Sequence, residues 1–406
     1  MTYTISCGIL WIMKFYNLLQ KGKPMKKSKI LLLTLLTCSL MLGGCGGSKD
    51  SGSAATPTPN ETPNIVVDDT DLDDTETAAT PTPEITEEPE ETRKGYVRSD
   101  LTNEWIDEAL ADTRPLSMMV PINSSALPHY NISNAGVIYE CLAEGKISRM
   151  LCVFDDWTDM ERIGNIRSAR AYYVAWAMEW DSILCHFGQV LYANPLLNSA
   201  ACDHLDGNAC PAGYGFYRVK DEGRISEQTA YASSELLLKA CDYYGISTTH
   251  TEYYSPNHWQ FASESNPEDL THYDDSFECT YIDCSNSFPN SKTHFEYNEE
   301  DGSYYRFIYG EPHMDGATDT QLAFTNVIIQ YCDYVVLDEY DHLEYHYGSG
   351  NKGYYITNGQ AIPITWDKDT ETDPTKFYDS DGNEIYLNTG KTMICICATN
   401  TTVAFE

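Results

Sequence analysis

Apolar positions along the chain change period several times, and each change marks an element. Trp105, Ile106, Ala109 and Leu110 recur at the i, i+1, i+4, i+5 spacing of one helical face, which predicts a helix over 102–111 ended by Arg114-Pro115. The apolar runs 136–141 and 147–154 flank Gly145-Lys146 and read as two strands of a hairpin. A helix is predicted from about 168 to 179, a buried strand over 183–187, and a second long helix over 226–244, stopped by Gly245. From about 280 to 400, short Tyr, Val, Ile and Thr runs are punctuated by Asp-Gly, Asn-Gly and Gly-Ser-Gly, the pattern of antiparallel strands. The fold class expected is therefore α+β: a mixed α/β domain over 98–270 followed by a mainly antiparallel, β-rich domain over 271–406.

The first hundred residues follow other rules. Lys26, Lys27 and Lys29 precede an uncharged run over 30–42 and then Gly43-Gly44-Cys45. A basic end, about a dozen apolar residues and a small-residue terminus describe a signal peptide, too short to span a bilayer comfortably. Leu42-Gly43-Gly44-Cys45 resembles a bacterial lipobox, which implies lipidation of Cys45 after removal of 1–44. A complete signal peptide starts at Met25, so translation is expected to begin there. From 45 to 97, Ala-Thr-Pro-Thr-Pro occurs twice around acidic stretches, with few large apolar residues. Such a segment cannot bury enough surface to offset its ordering entropy, and it reads as an extended linker.

Charge narrows the partners. The chain has 26 Lys plus Arg against 61 Asp plus Glu, a formal net charge of -35. Binding to nucleic acid draws on cations that displace counterions, so this balance argues against it, and against general adhesion to an anionic leaflet. Within 98–406 there are 17 bases and 48 acids, yet Lys146, Arg149, Arg162, Arg167 and Arg170 crowd into 25 residues. An anion-binding pocket is one reading: Arg167 and Arg170 flank Ser168 at the predicted helix start, where free backbone N–H groups and guanidinium forks suit phosphate or carboxylate. Internal pairing with Glu140, Glu144, Asp155, Asp156 or Glu161 is the other.

The run from Val137 to Arg149, the block Ile163-Gly-Asn-Ile-Arg-Ser-Ala-Arg170, Tyr172, Tyr173 and His186-Phe-Gly188 resemble the YerB-like bacterial lipoproteins. Gly348-Ser-Gly350, Trp366, Pro374-Thr-Lys-Phe-Tyr378 and Leu387-Asn-Thr-Gly-Lys-Thr392 resemble that family's second domain. Asn165 stands where the family pattern suggests proline, and Met393 where it suggests tryptophan. The resemblance implies two domains and an extracytoplasmic, lipid-anchored location on a bacterial cell membrane. It implies no reaction.

Other chemistry is thinly signalled. His186 lies in a strand beside Cys185, so the two point to opposite faces and cannot form a catalytic pair. His342, Glu344 and His346 share one face of a short run but are also what a solvated strand face looks like. Asp381-Gly382 reads as a tight turn rather than a calcium loop. Cys202 with Cys210 and Cys279 with Cys284 are spaced to close short loops, while Cys395 and Cys397 read as small buried residues. No nucleophile elbow, phosphate loop or dinucleotide fingerprint occurs, and no cofactor or metal is expected. The function expected is a membrane-tethered ligand- or partner-binding module. Arg149, Arg167, Ser168, Arg170, His186 and Glu140 would recognise an anionic group in wall polymer, peptide or partner protein. The alternative is a cell-envelope transferase or hydrolase acting on a phosphorylated substrate.

Overall fold

The final long strand of the sequence lies in the middle of the largest sheet. The computed structural model describes residues 92–220, 223–348 and 351–406; the signal segment, Cys45 and the linker as far as 91 lie outside the described residues. The large sheet has eleven strands: β1 Leu116–Pro121, β2 Val137–Leu142, β3 Ser148–Phe154, β4 Ile183–His186, β5 His204–Asp206, β6 Phe277–Glu278, β7 Asn326–Cys332, β8 Asn351–Thr357, β9 Gln360–Asp367, β10 Lys376–Tyr378 and β11 Thr392–Ala398. Their order is β6-β9-β8-β7-β11-β2-β3-β1-β4-β5, with β10 also on β9. The segments 98–270 and 271–406 both supply strands, and they join where β11 runs parallel to β2, Ile394 beside Tyr139 and Ile396 beside Cys141. The described residues form one compact unit.

The hairpin expected around Gly145-Lys146 is present as β2 and β3, antiparallel with Cys141 opposite Arg149. Gly145 and Lys146 take φ of 64° and 59°, the left-handed turn conformation that glycine tolerates best. Every residue of β1, β2, β3 and β11 is buried. Both faces of the sheet are covered, which is why these strands read as continuous apolar runs and not as alternating ones.

Helix α1, Ala171–Met178, lies on one face and is buried on all sides. Its Tyr172 and Tyr173 hydroxyls donate to the Leu142 and Cys141 carbonyls, each at 2.7 Å. The opposite face carries a six-stranded sheet containing Tyr281–Asp283, His294–Asn298 and Ser303–Ile308.

Several expected elements differ. Residues 102–111 form no α-helix: Trp105–Asp107 pairs antiparallel with Tyr96–Arg98, and only a turn of 3-10 helix follows at Glu108–Leu110. Of the four apolar positions that suggest a helical face, Trp105 and Ile106 instead lie in a two-stranded ribbon, with the Arg98 guanidinium 3.8 Å from the Trp105 ring centroid. The helix expected over 226–244 is reduced to Ser234–Tyr244, because Ala230–Ala232 pairs with Phe216–Arg218 and Ile163–Gly164. Ser233 starts it by accepting from the Leu236 N–H, and Gly245, at φ 70°, ends it. The C-terminal half is mainly but not wholly antiparallel, since β7 also runs parallel to β11. All eleven described cysteines are free thiols, including Cys202, Cys210, Cys279 and Cys284, while Cys395 and Cys397 are fully buried. Among the described residues no helix is long and apolar enough to cross a membrane.

Candidate functional site

Strand alternation divides the sequence candidates between two faces. Arg149 opposes Cys141 across the β2-β3 ladder while Glu140 opposes Met150, and adjacent strand residues point to opposite sides. Arg149 therefore faces α1 and Glu140 faces the second sheet.

On the α1 side, the turn between β2 and β3 presents Glu144 to two arginines. Arg170 donates through Nε to Glu144 Oε2 at 2.8 Å and through Nη2 to Oε1; Arg149 Nη2 reaches Oε1 at 3.1 Å. Both guanidiniums also donate to the Ser168 carbonyl. Burial raises the Glu144 pKa, but Arg149 and then Arg170 more than reverse this and lower it to about 2. Burial and the neighbouring Arg170 lower Arg149 to about 10. Helix α1 begins at Ala171 with Arg170 as its N-cap, so Ser168 lies before the helix and not at its first turn. Arg149 and Arg170 are thus held by an internal carboxylate.

Arg167 is different. It is half-buried and donates to the Glu227 backbone carbonyl at 3.1 Å. Across from it, Arg218 donates to the Ser226 carbonyl and lies 4.2 Å from the Phe187 ring centroid. Among the described residues neither guanidinium is ion-paired. They line a cleft of about 510 Å³ with Ser168, Phe187, Asp206 and Glu227. Burial lowers the Arg167 pKa, and Glu227 opposes that shift. The Ser168 hydroxyl donates to the Phe187 carbonyl at 3.0 Å.

His186 lies behind the cleft. Its Nδ1 hydrogen-bonds the Gly188 carbonyl at 2.8 Å and must carry the proton; Nε2 then accepts from His204 Nδ1 at 2.9 Å. Burial lowers its pKa to about 4, against the opposing influence of the Gly188 carbonyl and Asp206. Both nitrogens are occupied, which leaves none for a ligand.

Glu140 belongs to a second network, fully buried. It accepts from Arg306 Nη2 at 2.6 Å, Ser148 Oγ at 2.6 Å and Thr293 Oγ1 at 3.1 Å. Arg306 Nη1 donates to His313 Nδ1, His313 Nε2 donates to His129 Nδ1 at 2.9 Å, and His129 Nε2 donates to the Pro121 carbonyl at 2.7 Å. Each proton in this chain is fixed by the one before it, since a guanidinium can only donate and a carbonyl can only accept. Neither Arg218 nor the His129, Arg306 and His313 chain carries a local sequence signal. His342 is engaged by Asp338 Oδ2 at 2.7 Å beside the hairpin strand Leu343–Tyr345, both side chains half-buried.

Residues 101–247 match the family model described as "Protein of unknown function (DUF3048) N-terminal domain", and residues 284–394 match its C-terminal domain. The chain is 25% identical over 275 residues, 66% of this chain and 78% of the other, to a Bacillus subtilis (strain 168) protein described as "Putative lipoprotein YerB". It also superposes on the crystal structure of the YerB protein from Bacillus subtilis with a TM-score of 0.65 at 23% identity, covering 76% of this chain and 99% of that one.

Proposed function

The chain belongs to the DUF3048 family, through both its N-terminal and its C-terminal domain, and from that premise we propose a lipid-anchored, extracytoplasmic binding module that takes an anionic group in the cleft between Arg167 and Arg218. Arg167 carries this reading: it is a half-buried guanidinium in an open cleft, bonded among the described residues only to a backbone carbonyl, in a chain whose bases are outnumbered more than two to one. A desolvated fork of N–H donors favours phosphate or carboxylate. Arg149 and Arg170 reinforce the local potential from behind, although Glu144 holds them.

The alternative of a transferase or hydrolase needs a base beside Ser168. Among the described residues the hydroxyl hydrogen-bonds only to a carbonyl, His186 faces His204, and Glu140 lies on the other side of the sheet. These placements favour recognition over turnover.

Titrating the full chain with pyrophosphate by calorimetry tests the reading. Arg167→Ala and Arg218→Ala are each expected to weaken binding by roughly tenfold, the scale of one charge-assisted hydrogen bond, whereas Arg170→Ala lowers the unfolding midpoint instead. Undiminished binding in Arg167→Ala removes the cleft from consideration, and release of orthophosphate during the titration favours the enzyme.

Anchoring rests on the lipobox at Cys45 and on the description of the Bacillus subtilis relative. In a bacterial host fed labelled palmitate, the protein should carry label and sediment with membranes. Cys45→Ala should lose both properties, and retention of label in that variant excludes Cys45 as the acceptor.

A further inference from the structure

The two-stranded ribbon of Tyr334–Val336 and Leu343–Tyr345 has one edge that the fold leaves open. Tyr334 lies opposite Tyr345, Val335 opposite Glu344 and Val336 opposite Leu343. The Leu337 N–H donates to the His342 carbonyl and the His346 N–H to the Asp333 carbonyl, each at 2.8 Å. Hydrogen-bonded pairs alternate along an antiparallel ladder, so Val335 and Glu344 bond each other while the N–H and C=O groups of Tyr334 and Val336 point away from the ribbon. Among the described residues no other strand pairs with Tyr334–Val336, and no hydrogen bond reaches those outward groups. Folded proteins commonly blunt such an edge with lysine or proline. Here the edge strand is Tyr-Val-Val.

Apolar side chains gather beside this edge. Val336 is 55% exposed and Tyr340 70%. Leu191, 76% exposed, and Tyr192 join them from a distant segment: the Tyr192 hydroxyl donates to Asp338 Oδ2 at 3.1 Å, and the His342 ring centroid lies 6.0 Å from that of Tyr192 and 6.2 Å from that of Tyr340. Single exposed apolar side chains are ordinary, whereas a group of them marks an interaction surface. The rim is acidic. Asp333, Asp338, Glu339, Asp341 and Glu344 surround the patch, and no Lys or Arg occurs from 307 to 351. Among the described residues Asp338 pairs with His342 and Asp333 accepts from Thr399, and none of these carboxylates meets a Lys or Arg.

Charge selects the occupant. A second copy of this chain and its own linker are both acidic, and an anionic leaflet repels the same rim. We infer that this edge takes an extended, basic segment of a partner protein, added as a third strand along Tyr334–Val336. Main-chain bonds to Tyr334 and Val336 set its register, and alternate side chains set the choice of partner. Val335 and Glu344 share one face of the ribbon, and Tyr334, Val336 and Leu343 share the other. The incoming strand therefore places basic residues on the face of Glu344 and apolar ones on the face of Val336.

The probe is a heptapeptide of alternating lysine and valine, capped at both ends and titrated calorimetrically into the full chain. A glutamate-valine peptide tests charge, and a lysine-proline peptide, which keeps the charge and cannot pair as a strand, tests the main chain. Saturable binding of the lysine-valine peptide is expected, with each control weaker by about tenfold or more, and hydrogen exchange at the Tyr334 and Val336 amides should slow on its addition. Val336→Pro removes an outward donor that the ribbon does not use, so it should weaken the peptide by about tenfold and leave the unfolding midpoint unchanged. Val336→Lys should weaken it similarly through like charge, and decides the matter should the proline variant fail to fold. Arg167→Ala should leave peptide binding unchanged, which separates this edge from the arginine cleft. Absence of saturable binding, equal binding of either control, undiminished affinity in Val336→Lys, or unaltered exchange at the two amides overturns the inference. Sedimentation that shows a dimer without peptide, broken by Val336→Pro, gives the edge to a second copy and overturns it equally.

Discussion

Replacing Glu140 by alanine is expected to destabilise the fold by about 3–5 kcal/mol, the usual cost of stripping one partner from a buried ion pair. Glu140 and Arg306 are both 0% exposed and 2.6 Å apart. Without the carboxylate, the Arg306 guanidinium keeps its charge, its Nε already lacks a partner among the described residues, and Ser148 and Thr293 each lose an acceptor. Urea unfolding of Glu140→Ala measures the loss. In the double variant Glu140→Met/Arg306→Leu, both charges leave together, and most of the stability should return, because well-packed apolar replacements of a buried pair are often neutral. A change below about 1 kcal/mol in the single variant contradicts a structural role, that being the range of exposed pairs. The same experiment decides what Glu140 is for: a ligand-binding carboxylate would lose binding and leave the unfolding midpoint nearly unmoved.

Acidification should unfold the protein in a window set by its buried histidines. Burial above all lowers His129 to about 4, with the Pro121 carbonyl and Asp315 opposing the shift and Arg306 and Arg224 adding to it. His313 is lowered in the same direction by burial, Arg306 and His129, and His186 reaches about 4. The unfolded chain takes up these protons near pH 6.5; in the folded chain His129 and His186 take theirs only near 4, and burial holds His313 well below its ordinary value, so the unfolded state binds more protons as the pH falls below 6.5. Stability is complete above about pH 6.5 and falls as the pH drops, by about 3 kcal/mol for His129 alone before levelling near its folded value. Protonated His129 could no longer accept from His313, which breaks the chain to Arg306. Glu144 acts in a lower window, its contribution being present above about 4.5 and lost towards 2. Urea midpoints at pH 7, 5.5 and 4.5 should decline in order, more shallowly in His129→Asn. A flat profile between 7 and 4.5 would remove the buried neutral imidazoles from the account.

Local patterns carried the local elements. Gly145-Lys146 between two apolar runs is enough to place β2 and β3, and the helix expected over about 168–179 is present as α1, though it starts only at Ala171, because turn chemistry and periodicity act over a few residues. Ladder partners act over hundreds. Nothing near Thr392 announces that β11 will lie beside Val137. Without that partner, the sequence gives no sign that the segments 98–270 and 271–406 share one sheet. The candidate site divides the same way. Proximity in sequence raised Glu144 as a partner for Arg149 and Arg170, and the turn delivers it. Glu140 was grouped with the arginines although hairpin register puts it opposite Met150 and away from Arg149, a parity that two strands and a turn already imply. Arg218 enters the cleft because Phe216–Arg218 pairs with Ala230–Ala232, a contact with no short-range signature.

The central position of β11 also bears on how the protein is made. A growing chain presents β2 long before residues 392–398 exist, and until they arrive one edge of β2 is an unpaired row of backbone groups on an apolar strand. Its partner on that side comes only from the far end of the chain, so the sheet cannot be finished domain by domain as synthesis proceeds. A chain that stops before β11 is therefore expected to leave β2 with an unpaired apolar edge in the middle of what would have been the sheet.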